Sequence, residues 1–463
     1  MSTAPVWDTG LIKKYDLSGP RYTSYPTAVQ FQEGFKPEHY ESSARESSAT
    51  NKPLSLYVHI PFCSHVCYYC GCNKIVTKHR SKAKDYLDYL FREIDMQASL
   101  FGREQRVEQL HFGGGTPTFL SPDQISAVMD KLRSVFNFNC QSHSDFSIEL
   151  DPREVDWVMM SRLRDEGFNR ISIGVQDLDE KVQKAINRVQ PEEQVQSVLD
   201  AARTMAFKSV HMDLIYGLPH QTVEGFMNTV NRVIEMAPDR LSLFNYAHLP
   251  HRFKPQRRIN EADLPSPEEK LDILHKATER LVERGYVFIG MDHFALPDDE
   301  LAIAQETGTL HRNFQGYTTH SHCDLIAMGV SSISKVGGVY AQNHVSMEAY
   351  ENSINEAHLP IYRGLTMNRD DEIRQSVINE LICHFKLNFA EVEEHYGLKF
   401  SDYFSDALAA LKPMADDGLL SLTEQGIKVE PRGKMLIRNI CMQFDGYFKP
   451  QIQQQQNLYS KVI

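Results

Sequence analysis

Residues 54-LSLYVHIPFCSHVCYYCGCNK-74 are the most informative stretch of the chain. Positions 54–60 form a short β-rich apolar run and read as a strand, and the following loop carries Cys63, Cys67, Cys70 and Cys72. The same arrangement recurs downstream: a short apolar run ends in small, polar or ligand-type residues, and an amphipathic helical stretch follows. The expected strands are 54–60, 108–112, 145–150, 170–175, 210–216, 240–246 and 286–294, with helices at 82–100, 121–136, 154–166, 191–206, 222–236 and 266–284. Strand alternating with helix predicts a parallel sheet, here a full or partial (β/α) barrel. The fold class is therefore α/β.

The strand ends concentrate the chemistry. They carry HIPFC (59–63), FGGGTPT (112–118), Glu149 and Asp151, Gln176 and Asp177, Asp213, and Asn245-Tyr246-Ala247. In a barrel those ends share one rim, and the rim is where the active site forms.

Composition narrows the class of protein. The chain has 463 residues, 49 Lys+Arg against 61 Asp+Glu, a formal charge of -12 and 41% apolar residues, as expected of a folded, soluble chain. No run of about 18 apolar residues predicts a membrane span, and the start MSTAPVWDTG does not read as an export signal. A cytoplasmic, reducing location is expected, with the eight cysteines as thiols. The acidic balance argues against bulk nucleic-acid binding, which depends on Lys and Arg neutralising phosphates.

The Cys63, Cys67 and Cys70 spacing is C-x3-C-x2-C, with Cys72 just beyond. Structural zinc sites usually close a tetrahedron with a second Cys or His pair. No second Cys pair follows, though His59 and His65 can supply nitrogen, so zinc stays open on spacing alone. Electron-carrier [4Fe–4S] clusters take four Cys ligands, and three thiolates on one loop leave the fourth iron free to bind something else. This loop after a first barrel strand resembles the radical S-adenosylmethionine (SAM) superfamily. The resemblance implies that Cys63, Cys67 and Cys70 hold the cluster, that SAM occupies its open iron, and that Cys72 is a neighbour and no ligand.

The likeness extends along the chain through PRYTSYPTA (20–28), HFGGGTPT (111–118), SIELDPRE (147–154), ISIGVQD (171–177), DLIYGLP (213–219), FNYAHLP (244–250), GMDHFA (290–295), HRNFQGYTT (311–319) and MGVSSIS (328–334). Together these resemble the oxygen-independent coproporphyrinogen III oxidase family. Its haem-chaperone relatives are the alternative, but they have an aromatic residue in place of Cys72 and lack the PRYTSYPTA arm.

Membership implies two bound SAM molecules, with Tyr57, Gly114, Glu149 and Ile333 at the first and Tyr69, Gly115, Thr116, Gln176, Arg188, Asp213 and Ala247 at the second. It also implies a tetrapyrrole substrate, coproporphyrinogen III, whose two propionates become vinyl groups through a 5′-deoxyadenosyl radical. No side chain need act as principal nucleophile, and none is assigned as catalytic. The electron donor is unassigned, and family likeness favours a monomer. A polyanionic substrate needs local cations: Arg21, and Arg252, Lys254, Arg257 and Arg258 in 251-HRFKPQRR-258.

The expected domains are an arm at 1–53, a catalytic barrel at 54–350 and a helical, winged-helix-like unit at 351–463. That last region has helices at 369–386, 389–396 and 402–417, a hairpin at 418–431 and a final helix from Gly433. Residues 363–463 hold 12 Lys+Arg against 14 Asp+Glu, so a packing or lid role is preferred to DNA binding. The tail 451-QIQQQQN-457 is a low-complexity stretch expected to be solvated.

Overall fold

The computed structural model describes residues 4–139 and 144–448. Cys140 and the 451–457 tail lie outside the described residues. The chain divides into two compact units. The larger takes in residues 31–274 and 322–366, and the smaller takes in the described parts of 1–30, 275–321 and 367–463. Both are assembled from separated pieces of chain, whereas the sequence suggests three consecutive segments.

Seven parallel strands form the centre of the larger unit. They are β1 (Leu54–Ile60), β2 (Val107–Gly114), β3 (Asp145–Leu150), β4 (Arg170–Gln176), β5 (Ser209–Tyr216), β6 (Arg240–Asn245) and β7 (Asp324–Met328). Their order is β7-β1-β2-β3-β4-β5-β6, every neighbouring pair parallel. Beyond β7 the sheet continues antiparallel through β8 (Ile333–Val336), β9 (Val339–Asn343) and β10 (Ile361–Thr366).

Strand side chains alternate between faces. On β1 the residues Leu54, Leu56, Val58 and Ile60 are fully buried, and on β5 Val210, Met212 and Leu214 occupy the equivalent face. The other face is polar, carrying Tyr57 and His59 on β1, His111 on β2, Glu149 on β3 with Asp151 just beyond its end, and His211 and Asp213 on β5. A polar inner face suits a sheet that surrounds ligands rather than a packed centre.

The connecting helices bury apolar stripes. On Pro122–Val135 the stripe is Ile125, Val128, Met129 and Leu132, and Ser121 opens the helix with a capping box to Gln124. Tyr86, Leu87, Leu90 and Ile94 do the same on Ser81–Ala98.

Two expectations change. The run 286–294 is not one continuous strand: it folds as an antiparallel hairpin of Val287–Gly290 and His293–Ala295 in the smaller unit. Gly290 at φ +143° and Met291 at φ +54° make the turn. The seventh parallel strand is β7, which pairs with β1 from Asp324↔Leu54 to Met328↔Val58.

The N-terminal residues also have a core. In the larger unit the helix Pro37–Ala49 buries Tyr40, Ala44 and Ser47, and the Tyr40 hydroxyl donates to Gln97 Oε1 at 2.9 Å. In the smaller unit Tyr22 and Tyr25 are each 3% exposed. There Arg438 Nε donates to the Pro20 carbonyl at 2.9 Å, Tyr22 to Asp445 at 3.0 Å, and the Gly446 N–H to the Tyr25 hydroxyl at 3.0 Å. The same unit contains helices Arg369–His384, Phe389–Tyr396 and Ser405–Asp416, and a small antiparallel sheet ordered Lys386–Asn388, Gly426–Val429, Leu420–Leu422.

Candidate functional site

At the C-terminal ends of the parallel strands a cavity of about 270 Å³ is walled by Cys63, Cys67, Cys70 and Cys72 from the loop after β1. Backbone hydrogen bonds fix that loop. Phe62–Cys63 pairs with Ile75–Val76, the Thr77 N–H donates to the Cys63 carbonyl at 2.9 Å, and the Tyr68 N–H donates to the Ile186 carbonyl at 2.9 Å. Tyr68 and Tyr69 pack against an apolar cluster that includes Val182, Ile186 and Ile215. The short helix Glu180–Ala185, which sequence periodicity misses, supplies Val182.

The glycine triplet closes the loop from β2. The Gly115 N–H donates to the Ile60 carbonyl and the Thr116 N–H to the Phe62 carbonyl, each at 2.8 Å. A Cβ on Gly115 would stand 2.7 Å from the Phe62 carbonyl oxygen and 2.8 Å from that of Pro61, so only glycine permits this approach.

Hydrogen-bond donors converge on the sulfurs. Thr116 Oγ1 donates to Cys63 Sγ at 3.5 Å, Arg188 Nη1 to Cys67 Sγ at 3.6 Å and Arg153 Nη2 to Cys67 Sγ at 3.7 Å. Cys70 is held well below the usual thiol range by its bond with Cys72 and by the Lys74 ammonium. Cys72 is correspondingly pushed up, and burial pushes Cys63 up to about 11. A Cys70 thiol held low and donors aimed at two other sulfurs suit a loop that ligates iron, whose ligands must be deprotonated.

Asp151 ties two guanidiniums together. It accepts from Arg188 Nη1 at 2.9 Å and from Arg153 Nη2 at 2.7 Å on the same oxygen. Burial works against its charge, yet Arg188 and Arg153 bring it down to about 2. Arg188 Nη2 also donates to the Gly174 carbonyl at 2.7 Å, and its buried Nε has no hydrogen-bond partner among the described residues. A buried donor left over beside a cavity fits an anionic ligand group.

Of the eleven residues assigned to SAM from resemblance, Tyr69, Gly114, Gly115, Thr116, Glu149, Gln176, Arg188 and Asp213 line this cavity. The other three do not. The Tyr57 ring stacks on His111 at 5.8 Å, Ile333 begins β8, and the Ala247 carbonyl accepts from Gln256 Nε2 at 3.2 Å. The structure also brings in residues that have no role on sequence grounds. Arg153 reaches Asp151 across the turn Pro152–Glu154, and Ser172 lies on the wall. Only the SIELDPRE run hints at Arg153.

Of the two nitrogen donors named for zinc, His65 lines the cavity beside the cysteines while His59 is engaged elsewhere. His59 engages Tyr57 through Nδ1 at 3.2 Å and the Asn73 carbonyl through Nε2 at 3.3 Å, while His65 sits 3.5 Å from Glu154.

The basic loop 251–258 packs onto the cysteine loop. Gln256 Nε2 donates to the Tyr69 carbonyl at 2.9 Å, Arg258 lies over the Tyr68 ring at 5.2 Å, and a Cβ on Gly71 would touch the Phe253 ring at 3.0 Å. Arg21 belongs to the smaller unit, where it lies 3.5 Å from Asp292.

Residues 57–233 match the Radical SAM superfamily, and 367–436 match the HemN C-terminal domain. The chain is 54% identical over 457 residues to the oxygen-independent coproporphyrinogen III oxidase of Pseudomonas aeruginosa, covering 99% of both chains. It is 52% identical to that of Escherichia coli, over 99% of this chain and 98% of the other. The solved structure of coproporphyrinogen III oxidase (HemN) from Escherichia coli, described as a radical SAM enzyme, superposes with a TM-score of 0.92 at 50% identity, covering 96% of this chain and 100% of that one. A radical SAM enzyme carries a [4Fe–4S] cluster and SAM, and the three thiols, the sulfur-directed donors and the unpartnered Arg188 Nε fit those groups. The chain belongs to the oxygen-independent coproporphyrinogen III oxidase family of radical SAM enzymes.

Proposed function

We propose that this chain converts coproporphyrinogen III to protoporphyrinogen IX by anaerobic oxidative decarboxylation of two propionates. The observation that carries the reading is the full-length identity to enzymes bearing that name, and the same names favour the oxidase over the haem-chaperone branch. When bound, the cluster and SAM supply one-electron cleavage of the sulfonium and a 5′-deoxyadenosyl radical that takes a hydrogen atom from the propionate β-carbon. The resulting propionate radical would lose CO2 and pass one electron to a one-electron acceptor, which is unassigned, to become a vinyl group, and each such event would consume one SAM.

The chain's own residues hold and orient these groups. Cys63, Cys67 and Cys70 hold the cluster, leaving Cys72 as a neighbour. Tyr57, Gly114, Glu149 and Ile333 serve one SAM, and Tyr69, Gly115, Thr116, Gln176, Arg188, Asp213 and Ala247 serve the other. Arg188 pairs with a carboxylate and Asp213 with an ammonium. Arg252, Lys254, Arg257 and Arg258 meet substrate propionates, a role supported by the packing of their loop on Tyr68 and Tyr69. Residues 54–350 carry the catalytic role, 1–53 serve as an arm, and 351–463 serve as a packing or lid domain. The enzyme works in the cytoplasm as a monomer.

Anaerobically reconstituted protein given a reductant, SAM and coproporphyrinogen III should release CO2 and 5′-deoxyadenosine in equal amounts. Cluster-loaded protein that forms no protoporphyrinogen IX would overturn the proposal.

A further inference from the structure

Two carboxylates in the cavity wall, Glu149 and Asp213, each have a histidine and a serine behind them, one on the carboxylate's own strand and one on the adjoining strand. His111 Nε2 lies 3.4 Å from Glu149 Oε1, and its Nδ1 lies 2.6 Å from Ser147 Oγ. His211 Nε2 lies 3.2 Å from Asp213 Oδ1 and 2.6 Å from Ser242 Oγ. The strand register produces both sets: His111 stands opposite Ser147 across β2 and β3, and Asp213 opposite Ser242 across β5 and β6. Neither histidine lines the cavity, so neither is placed to meet a ligand directly.

Each carboxylate has a further anchor. The Gly114 N–H donates to Glu149 Oε2 at 3.2 Å, and Ser172 Oγ donates to Asp213 Oδ2 at 3.1 Å. With a polar neighbour beside each oxygen, the carboxylate plane is fixed and the remaining lone pairs stay available to a ligand. A separate feature shows that the first set constrains the chain. A Cβ on Gly113 would stand 3.0 Å from Glu149 Oε1 and 3.1 Å from His111 Nε2. The first glycine of the triplet thus leaves room for the His111 and Glu149 contact, while Gly115 serves the cysteine loop.

We propose that His111 and His211 are positioning residues, one for each SAM molecule, which hold Glu149 and Asp213 where they meet the ammonium or ribose hydroxyls of the ligand. The inference rests on the assignment of Glu149 and Asp213 to SAM, and its test separates the two. Cluster-loaded protein is prepared anaerobically as wild type and as His111→Ala, His111→Gln, His211→Ala, His211→Gln, Glu149→Gln and Asp213→Asn. Equilibrium binding of labelled SAM gives affinity and stoichiometry, the EPR spectrum of the reduced cluster reports the SAM bound at iron, and an unfolding curve reports structural damage.

Loss of a charge-assisted contact that orients a ligand should weaken binding about tenfold. His111→Ala should therefore weaken the SAM binding that changes the EPR spectrum. His211→Ala should leave that change intact while weakening the second equivalent. The glutamine variants, whose amide can replace Nε2 as a donor, should restore most of the affinity. If both alanine variants bind SAM as the wild type does while Glu149→Gln and Asp213→Asn do not, the positioning role is wrong. It is equally wrong if alanine and glutamine variants lose affinity to the same extent with a lowered unfolding midpoint. Unchanged binding in Glu149→Gln and Asp213→Asn removes the SAM assignment itself and the inference with it.

Discussion

Arg188 and Arg153 both contact Asp151 and both reach the Cys67 sulfur. One carboxylate against two guanidiniums leaves a positive charge facing the Cys67 sulfur, a proposed cluster ligand. Asp151 and Arg188 each have a side chain only 8% exposed, so neither charge is well solvated. Removing one partner from a buried ionic group typically costs about 3–5 kcal/mol, because the remaining charge is stranded. Asp151→Ala should therefore lower the denaturant midpoint of the anaerobic, cluster-loaded protein, with a loss of about that size. Asp151→Asn, which keeps an acceptor oxygen, should lose less. Arg153→Ala should have a smaller effect on stability and should move the cluster's reduction potential to a more negative value, read by EPR-monitored redox titration, because a cation near a ligand sulfur favours the reduced cluster. Equal stability of Asp151→Ala and wild type would show that the triad does not hold the site. The C-x3-C-x2-C spacing of Cys63, Cys67 and Cys70 is visible in the sequence, and resemblance proposes them as the cluster ligands. The Asp151 triad is not visible there, because it depends on how the turn after β3 directs Arg153 back along the chain.

Elements with a strong periodic pattern are legible within a few residues at each end. The strand expected at 145–150 is Asp145–Leu150, and the helix expected at 222–236 is Val223–Met236. The missed elements lack a pattern. On Pro37–Ala49 the buried stripe is Tyr40, Ala44 and Ser47, two of them small and one polar. In β7 all five residues are buried, so no alternation shows. What β7 leads into is held by one acid: Glu93, on Ser81–Ala98, accepts from the Gly329 N–H at 2.7 Å, from Asn343 Nδ2 at 2.7 Å and from the Tyr350 hydroxyl at 2.6 Å. Burial raises its carboxyl from an ordinary 4.5 to about 7, against the lowering effect of those donors. A raised folded-state value means that the native protein keeps a proton that the unfolded chain has already released. Stability from this group is thus greatest below about pH 4.5 and falls as pH rises to about 7, by at most about 3 kcal/mol. Glu93→Gln carries no titrating group, so its stability relative to wild type should increase between pH 5 and pH 8. Denaturant midpoints compared at the two pH values check this. A constant difference would mean that Glu93 is ionised in the folded protein throughout the range.

At the scale of the whole molecule the charge is -12, which would repel a substrate bearing four propionates. The fold answers this locally, since Arg252, Lys254, Arg257 and Arg258 lie on one loop, and Gln256, only 2% exposed, fastens that loop to the Tyr69 carbonyl beside the cavity. Which field the substrate feels can be read from the sign of its salt dependence. Charges farther apart than about 8 Å are largely screened at physiological ionic strength, so distant acids fade first and close contacts persist longest. If the loop cations bind propionates, raising salt weakens attraction and the KM for coproporphyrinogen III should rise, by roughly fivefold for a few exposed pairs worth under about 1 kcal/mol each. If the overall negative charge dominates, added salt relieves repulsion and the KM should fall. Arg258→Ala should flatten the salt dependence and raise the substrate KM at low salt, while SAM binding and its EPR signature stay as in wild type. A KM that falls with salt in the wild type, or that responds to salt equally in Arg258→Ala, would remove this loop from substrate recognition.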